Sequence, residues 1–151
     1  MQLLRTEGDR ALVRPTTGNQ GGLEFWIDRR YLKTGEGVNP RWVENAVNKF
    51  LTQSVDMSPN HCARALRQAL SMVETQGDAD EWMRRLVDAG QSVPRAERDA
   101  GTLVWYPTSK PEGHIGIMAY DSNGKLRMIS QNSGRITWED PPGSAVYMRL
   151  P

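Results

Sequence analysis

The sequence predicts an α+β fold in which N-terminal helices pack on a small antiparallel β-sheet. Between residues 39 and 90 the apolar residues recur at helical spacing. After Pro94 they fall into short alternating runs that are separated by turn residues. Helices followed by a strand meander are typical of an α+β domain, and 151 residues are enough for one such domain with a substantial core.

The first 37 residues are predicted to form a β-like N-terminal segment. Strands are expected at residues 11–14 and 24–32, because both runs are rich in apolar and aromatic side chains. Residues 15–22 between them carry turn-forming types, and residues 35–38 are interpreted as a connector. The main domain is therefore assigned to residues 38–151.

Three helices are predicted in the first half of the main domain. The first begins with Asn39 as N-cap and Pro40 in the first turn, and the second begins in the same way with Ser58 and Pro59. A polar loop at 74–80 precedes the third helix, which ends near Gly90. The side chains expected to face inward are Val43, Ala46, Val47, Phe50 and Leu51, then Leu66, Ala69, Leu70 and Val73, then Trp82, Leu86 and Val87.

Five strands are predicted in the second half. They are placed at residues 102–106, 114–120, 125–130, 135–138 and 145–149. Asp-Ser-Asn-Gly at 121–124 is a strong hairpin signal, so the second and third of these strands are expected to pair.

Composition excludes several classes of function. A net charge of +1 with scattered arginines predicts neither a nucleic-acid partner nor a membrane partner, and no apolar stretch is long enough to span a bilayer. One cysteine excludes an internal disulfide, and two histidines with one cysteine argue against a structural zinc site. We therefore expect no metal and no cofactor. The charged N-terminus predicts that no signal peptide is present.

Cys62 and His114 are the candidate catalytic pair. Cys62 is predicted in the first turn of the second helix, where backbone N–H groups and the helix dipole favour the thiolate. His114 begins the predicted strand 114–120. A lone thiol at a helix start with a distant histidine is typical of cysteine hydrolases. The alternative is a buried structural cysteine, which is the commoner fate of a free thiol.

A third polar group should orient the imidazole. The predicted hairpin returns residues 130–132 to the start of the His114 strand. Asn132 is the first choice, because its amide oxygen can accept from an imidazole N–H without adding charge. Gln131 is the second choice and Ser130 the third. The alternative for Asn132 is a turn residue.

Two further residues are candidate accessory groups. His61 precedes Cys62 directly, and adjacent helical residues point about 100° apart, so His61 is poorly placed to be its base. We interpret it as a rim residue, with lining the cleft or polarising the substrate as alternatives. Trp105 is interpreted as a packing residue, with a place in the cleft wall as its alternative.

The order of these segments resembles that of the CHAP and NlpC-type superfamily of peptidoglycan hydrolases, compact relatives of papain-like proteases. The similar segments are Asn-His-Cys-Ala-Arg at 60–64, Gly-Thr-Leu-Val-Trp-Tyr at 101–106, Gly-His-Ile-Gly-Ile at 113–117 and Ser-Gln-Asn-Ser-Gly at 130–134. In that family a helix-start cysteine is followed by a Gly-Asp-Leu-Val-type strand and then by a Gly-His-Val-Gly-type strand carrying the base. The resemblance covers residues 39–151.

The chain also departs from that pattern. Thr102 stands where the family usually has Asp, and Ser130 stands where many members have Glu. The tyrosine that often completes the oxyanion hole has no counterpart between residues 39 and 58, which leaves the second oxyanion donor open. Residues 25–33 resemble the last strand of an Src-homology-3-like wall-binding domain, so segment 1–37 is either a remnant, a packed arm or a coincidence.

The resemblance implies a papain-like fold and a Cys-His-Asn site that cleaves an amide bond in cell-wall stem peptides, as an amidase or an endopeptidase. The implied substrate is peptidoglycan or a muropeptide, with an immunity protein or a delivery machinery as further partners. Synthesis in the cytoplasm would then be followed by phage release or secretion to the periplasm or wall. Two alternatives stay open: a cysteine acyl hydrolase or acyltransferase effector with a non-wall substrate, and a non-catalytic wall-binding module.

Overall fold

The computed structural model describes residues 2–14, 24–28, 37–73 and 77–151. These residues form an α+β fold with three α-helices and two antiparallel sheets. The helices are α1 (Arg41–Leu51), α2 (Cys62–Ala69) and α3 (Ala79–Asp88). In this described part, no helix has the length and apolar character needed to cross a bilayer.

The N-terminal sheet has three strands, β1 (Gln2–Glu7), β2 (Arg10–Arg14) and β3 (Phe25–Asp28), in that order. The predicted strand at 11–14 is confirmed, and β3 confirms the first part of the run predicted at 24–32. β1 was not predicted. The turn predicted at 15–22, and residues 35 and 36 of the connector, lie outside the described residues.

The main sheet has six strands in the spatial order β4-β9-β5-β6-β7-β8. They are β4 (Ser92–Val93), β5 (Leu103–Tyr106), β6 (His114–Tyr120), β7 (Leu126–Asn132), β8 (Arg135–Glu139) and β9 (Val146–Met148). The five predicted strands are present, and the hairpin between β6 and β7 closes with a hydrogen bond from Gly124 N–H to the Asp121 carbonyl, 2.9 Å long. In this sheet, the two-residue β4 was not predicted.

The first two helices begin later than predicted. Asn39 does not cap α1, because its side chain donates to and accepts from the backbone of Tyr120 at 2.9 and 2.7 Å. Ser58 does not cap α2 either, since α2 starts four residues later at Cys62, with His61 as N-cap. The Ser58 N–H donates to the Asp56 carboxylate at 2.8 Å. The thiol is therefore carried by the first residue of α2.

The helices cover one face of the main sheet. Ile115 and Ile117 lie on the same face of β6, toward α1 and α2. They are fully buried together with Phe50 and Leu66. A second cluster lies on the other face of the sheet: Val93, Val104, Met118, Met128 and Tyr147. Three side chains predicted to face inward do not, because Leu51 and Val87 are exposed and Val73 lies beyond the end of α2 with 86% of its surface exposed.

Candidate active site

Cys62 and His114 line one cleft of about 200 Å³ at the end of the main sheet. Cys62 begins α2, and His114 begins β6 opposite Tyr106, the last residue of β5. Lys110 donates a hydrogen bond to the Asn60 side chain, and both residues line the cleft. The remaining lining residues are Tyr106, Thr108, Ser109, Glu112, Gly113, Gln131, Asn132 and Ser133.

The Cys62 thiol is buried, with 8% of the residue exposed. Burial raises its pKa above the usual 9.0, the Glu112 carboxylate raises it further, and backbone N–H groups of Ile115, Ala63 and Cys62 lower it in part. The sequence predicted that the helix start favours the thiolate. The N–H groups do act in that direction, but burial is the larger effect, so the resting thiol is protonated at neutral pH.

The His114 imidazole is also buried. Its Nε2 lies 2.8 Å from Ser130 Oγ, and the Tyr106 ring packs against it edge-on with 5.3 Å between ring centroids. Burial lowers the pKa of His114 to about 4, which makes the ring neutral at pH 7. Because Nε2 is engaged by Ser130, Nδ1 is the ring nitrogen left to act as a base.

Ser130 makes the contact that the sequence assigned to Asn132. The reason lies at Gly116, where a Cβ would come within 2.8 Å of the Ser130 Cβ and 2.7 Å of the Ile129 carbonyl oxygen. The missing side chain at Gly116 leaves room for Ser130 on the neighbouring strand β7, whose hydroxyl lies 2.8 Å from the imidazole. Asn132 lines the cleft, and its side-chain oxygen accepts from Ser133 Oγ at 3.3 Å.

Both ends of the Gln131 side-chain amide are hydrogen-bonded to groups other than His114. Its Nε2 donates to the carbonyls of Asp56 and Ser58 at 2.9 and 2.7 Å, and its Oε1 accepts from Gly134 N–H at 3.0 Å. The residue is 1% exposed. Gln131 therefore ties the turn that precedes α2 to β7, and its amide is not available to the imidazole.

Trp105 lies beneath the loop that leads into His114. Its Nε1 donates to the Glu112 carbonyl at 2.9 Å, and a Cβ at Gly113 would come within 2.6 Å of the indole ring. Gly113 also has a φ of +67°, which glycine adopts without steric cost. Trp105 thus fixes the path of the chain into β6. It packs under the loop and is not a wall of the cleft.

His61 lies at the rim of a second pocket. Its Nδ1 is 2.7 Å from the Asp56 carboxylate, which also lies 3.6 Å from Arg64. The Ser58 backbone N–H and the His61 side chain hold the pKa of Asp56 at about 2. The His61 side chain is 46% exposed, which agrees with its interpretation as a rim residue.

The second pocket, called the side pocket below, adjoins the cleft and has a volume of about 620 Å³. It shares Asn60, Cys62 and Glu112 with the cleft. Its other lining residues are His61, Ala63, Arg64, Arg67, Gly77, Asp78 and Ala79. Cys62 thus borders both pockets, an arrangement that can hold the two halves of a substrate beside the sulfur.

Glu139 is a polar residue beside His114 that the sequence did not single out. Its Oε1 accepts from the Tyr106 hydroxyl at 2.8 Å and lies 3.9 Å from His114 Nε2. Burial and this carboxylate raise the pKa of Tyr106, so the phenol remains a donor. The alternation of side chains along a strand could have indicated Glu139. β8 pairs Thr137 with Ser130, so Glu139, two residues further along, lies on the same face. The predicted strand ended at residue 138 and did not include it.

In residues 2–14, 24–28, 37–73 and 77–151, no three His, Cys, Asp or Glu side chains come together as a metal site. Comparison with protein-family models, with curated proteins and with solved structures found no match to this chain. The family resemblance therefore stays a prediction from the residues, and function has to be argued from the geometry of the cleft.

Proposed function

We propose that this chain is a cysteine-dependent amidohydrolase of papain-like architecture that cleaves an amide bond in peptidoglycan stem peptides. The observation that carries the proposal is that Cys62 and His114, at the starts of α2 and β6, line one cleft. Ser130 holds the far ring nitrogen of His114. A nucleophile, a base and a group that orients the base are the elements of acyl transfer.

The reaction begins from an uncharged pair. Because burial raises the pKa of Cys62 and lowers that of His114, the thiol proton passes to Nδ1 as the sulfur attacks the amide carbon. The C=O electrons move to oxygen, and the backbone N–H of Cys62 at the start of α2 is positioned to donate to that oxyanion.

Collapse of the tetrahedral intermediate breaks the C–N bond. The His114 imidazolium gives its proton to the leaving amine, and the acyl group remains on Cys62 as a thioester. Water then attacks the thioester while His114 takes one of its protons. The C–S bond breaks, His114 returns the proton to the sulfur, and the second product leaves as a carboxylic acid that ionises by releasing its proton to solvent.

The two pockets indicate in which orientation the substrate binds. Since His114 protonates the leaving amine, the amine half belongs in the cleft, and the acyl half extends into the side pocket. The side pocket combines Arg64 and Arg67 with Asp78 and Glu112. Charges of both signs support a peptide that carries free carboxylate and amino groups. The choice of peptidoglycan itself is supported by the resemblance of residues 60–64, 101–106, 113–117 and 130–134 to wall hydrolases.

The proposal is tested by incubating purified peptidoglycan with the wild type and with Cys62→Ala. We expect the wild type alone to release fragments, each cleaved bond adding the mass of one water. The fragment masses identify the bond and so distinguish an amidase from an endopeptidase. Equal release by both proteins, or no release by either, would refute the wall substrate.

A second measurement separates an enzyme with another acyl substrate from a binding module. The rate of Cys62 alkylation by iodoacetamide at pH 7 is compared between the wild type and His114→Gln. An imidazole that activates the thiol makes the wild-type rate higher, whatever the substrate. Equal rates together with no wall cleavage would favour a non-catalytic module.

A further inference from the structure

A cluster of polar side chains, the Glu139 cluster, lies on the Nε2 side of His114. It consists of Tyr106, Ser130, Thr137 and Glu139, which come from β5, β7 and β8. Ser130 Oγ lies 2.8 Å from Nε2 and 3.4 Å from Thr137 Oγ1. Glu139 Oε1 lies 3.9 Å from Nε2 and is fixed by the Tyr106 hydroxyl at 2.8 Å.

This geometry bears on which ring nitrogen carries the proton. Ser130 can accept from an Nε2–H or donate to a bare Nε2, so the hydroxyl alone does not select a tautomer. A carboxylate on that side favours the tautomer whose N–H dipole points toward it, which is Nε2–H. Nδ1 is then left with a lone pair for the Cys62 proton. The same carboxylate stabilises the imidazolium once Nδ1 is protonated.

We propose that Glu139 is a positioning residue for His114, which fixes the Nε2–H tautomer and stabilises the imidazolium that forms during acyl transfer, with Tyr106 holding the carboxylate in place. The importance for catalysis rests on the proposed function. The effect of Glu139 on the tautomer and charge of the imidazole is independent of the proposed function, because it follows from the contacts of Glu139 with Nε2 and Tyr106.

The other ionisable groups near His114 lie elsewhere around the ring. Cys62 comes from α2, and Lys110 and Glu112 come from the loop before β6 and line the cleft with the thiol. Tyr106 comes from β5 and is a neutral donor to Glu139. Glu139 from β8 is the carboxylate paired with Nε2 at 3.9 Å, so its removal should change the ring in a way that these groups do not compensate.

The test compares Glu139→Gln and Tyr106→Phe with the matched control Asp140→Asn. Asp140 is the next residue, is exposed, and pairs with Lys125 and Arg127 instead of His114. The full-length protein is labelled with ¹⁵N, and the two ring nitrogens of His114 are followed by long-range ¹H–¹⁵N spectra across pH. The chain has two histidines, so a His61→Gln sample assigns the signals.

We expect the wild-type ring to be the Nε2–H tautomer. In Glu139→Gln we expect the tautomers to mix, the titration midpoint to fall by about one pH unit, and kcat/KM to fall about tenfold. Tyr106→Phe should shift all three in the same direction by less, and it keeps the test open if Glu139→Gln fails to fold. Asp140→Asn should leave the tautomer and the midpoint unchanged.

Two results would separate the positioning role of Glu139 from the proposed function. If both cluster variants keep the wild-type tautomer and midpoint, Glu139 has no positioning role, even if their unfolding midpoints fall. If the ring responds as expected but the wild type cleaves no peptidoglycan, the positioning role stands as a property of the ring and the proposed function fails.

Discussion

The two histidines of this chain lie in contrasting environments on either side of Cys62. His61, at the entry to α2, is half-exposed and is bonded to the Asp56 carboxylate at 2.7 Å. His114, at the start of β6, is buried and is bonded to the neutral Ser130 hydroxyl at 2.8 Å. His61 is adjacent to the nucleophile in sequence and has the shorter carboxylate contact, yet His114 is the histidine that lines the cleft with Cys62.

A close carboxylate partner therefore does not by itself bring a histidine into the cleft. The Asp56 carboxylate holds His61 toward the loop before α2 and against the side pocket. Burial keeps His114 neutral at pH 7, which a base must be before it can accept a proton.

Replacing each histidine should separate their roles in activity. We expect His114→Gln to lower kcat for muropeptide release by about 10³-fold, because it removes the proposed general base. His61→Gln should lower kcat/KM by less than about tenfold and mainly through KM, since His61 lines the side pocket. Steady-state rates with a soluble muropeptide measure both. A larger loss of kcat in His61→Gln than in His114→Gln would reverse the assignment.

The two regions should also lose stability in different ranges of acid pH. The folded-state pKa of His114 is about 4, below the usual 6.5, so the unfolded chain binds more protons between these values. The free energy of unfolding should therefore fall by up to about 3 kcal/mol as pH drops from 6.5 to 4. Asp56, with a pKa of about 2 against 3.8, should contribute a further loss only below pH 3.8.

Urea titrations at a series of pH values measure these two ranges. In His114→Gln the fall between pH 6.5 and 4 should shrink, and in Asp56→Asn the fall below pH 3.8 should shrink. A wild-type slope in His114→Gln between pH 6.5 and 4 would show that the buried imidazole is not its source.

Two neighbouring residues of β7 should differ in their effect on stability. Gln131→Ala should lower the free energy of unfolding by about 2 kcal/mol, because it removes a buried amide that donates to the carbonyls of Asp56 and Ser58. Asn132→Ala should lower it by less than about 0.5 kcal/mol, since among the described residues its side chain bonds to exposed Ser133 alone, at 3.3 Å. Chemical denaturation at pH 7 compares them. An equal cost would mean that Gln131 does not anchor the entry to α2.

Local sequence signals predicted most of the elements. The strand at 114–120 was placed with its observed bounds, because a turn precedes it and the Asp-Ser-Asn-Gly hairpin follows it. β4 could not be predicted, since its two residues form a strand only through pairing with β9. The order β4-β9-β5 depends on contacts between distant parts of the chain, which periodicity does not encode.

The start of α2 shows where local rules fail. Ser58 followed by Pro59 matches the N-terminal pattern of a helix. In the folded protein Gln131 binds the carbonyls of Asp56 and Ser58 from the distant strand β7, and the helix begins only at Cys62. A tertiary hydrogen bond here overrides a local capping preference.

Local sequence patterns set the α+β order of elements and singled out Cys62 and His114, which line the cleft, because helix starts and strand starts are signalled by nearby residues. The tertiary structure decided that Ser130 and Glu139, rather than Asn132, lie on Nε2 of His114. It also decided the protonation states, since burial raises the pKa of Cys62 and lowers that of His114. Strand proximity and burial are properties of the packed chain, so no local pattern could supply them.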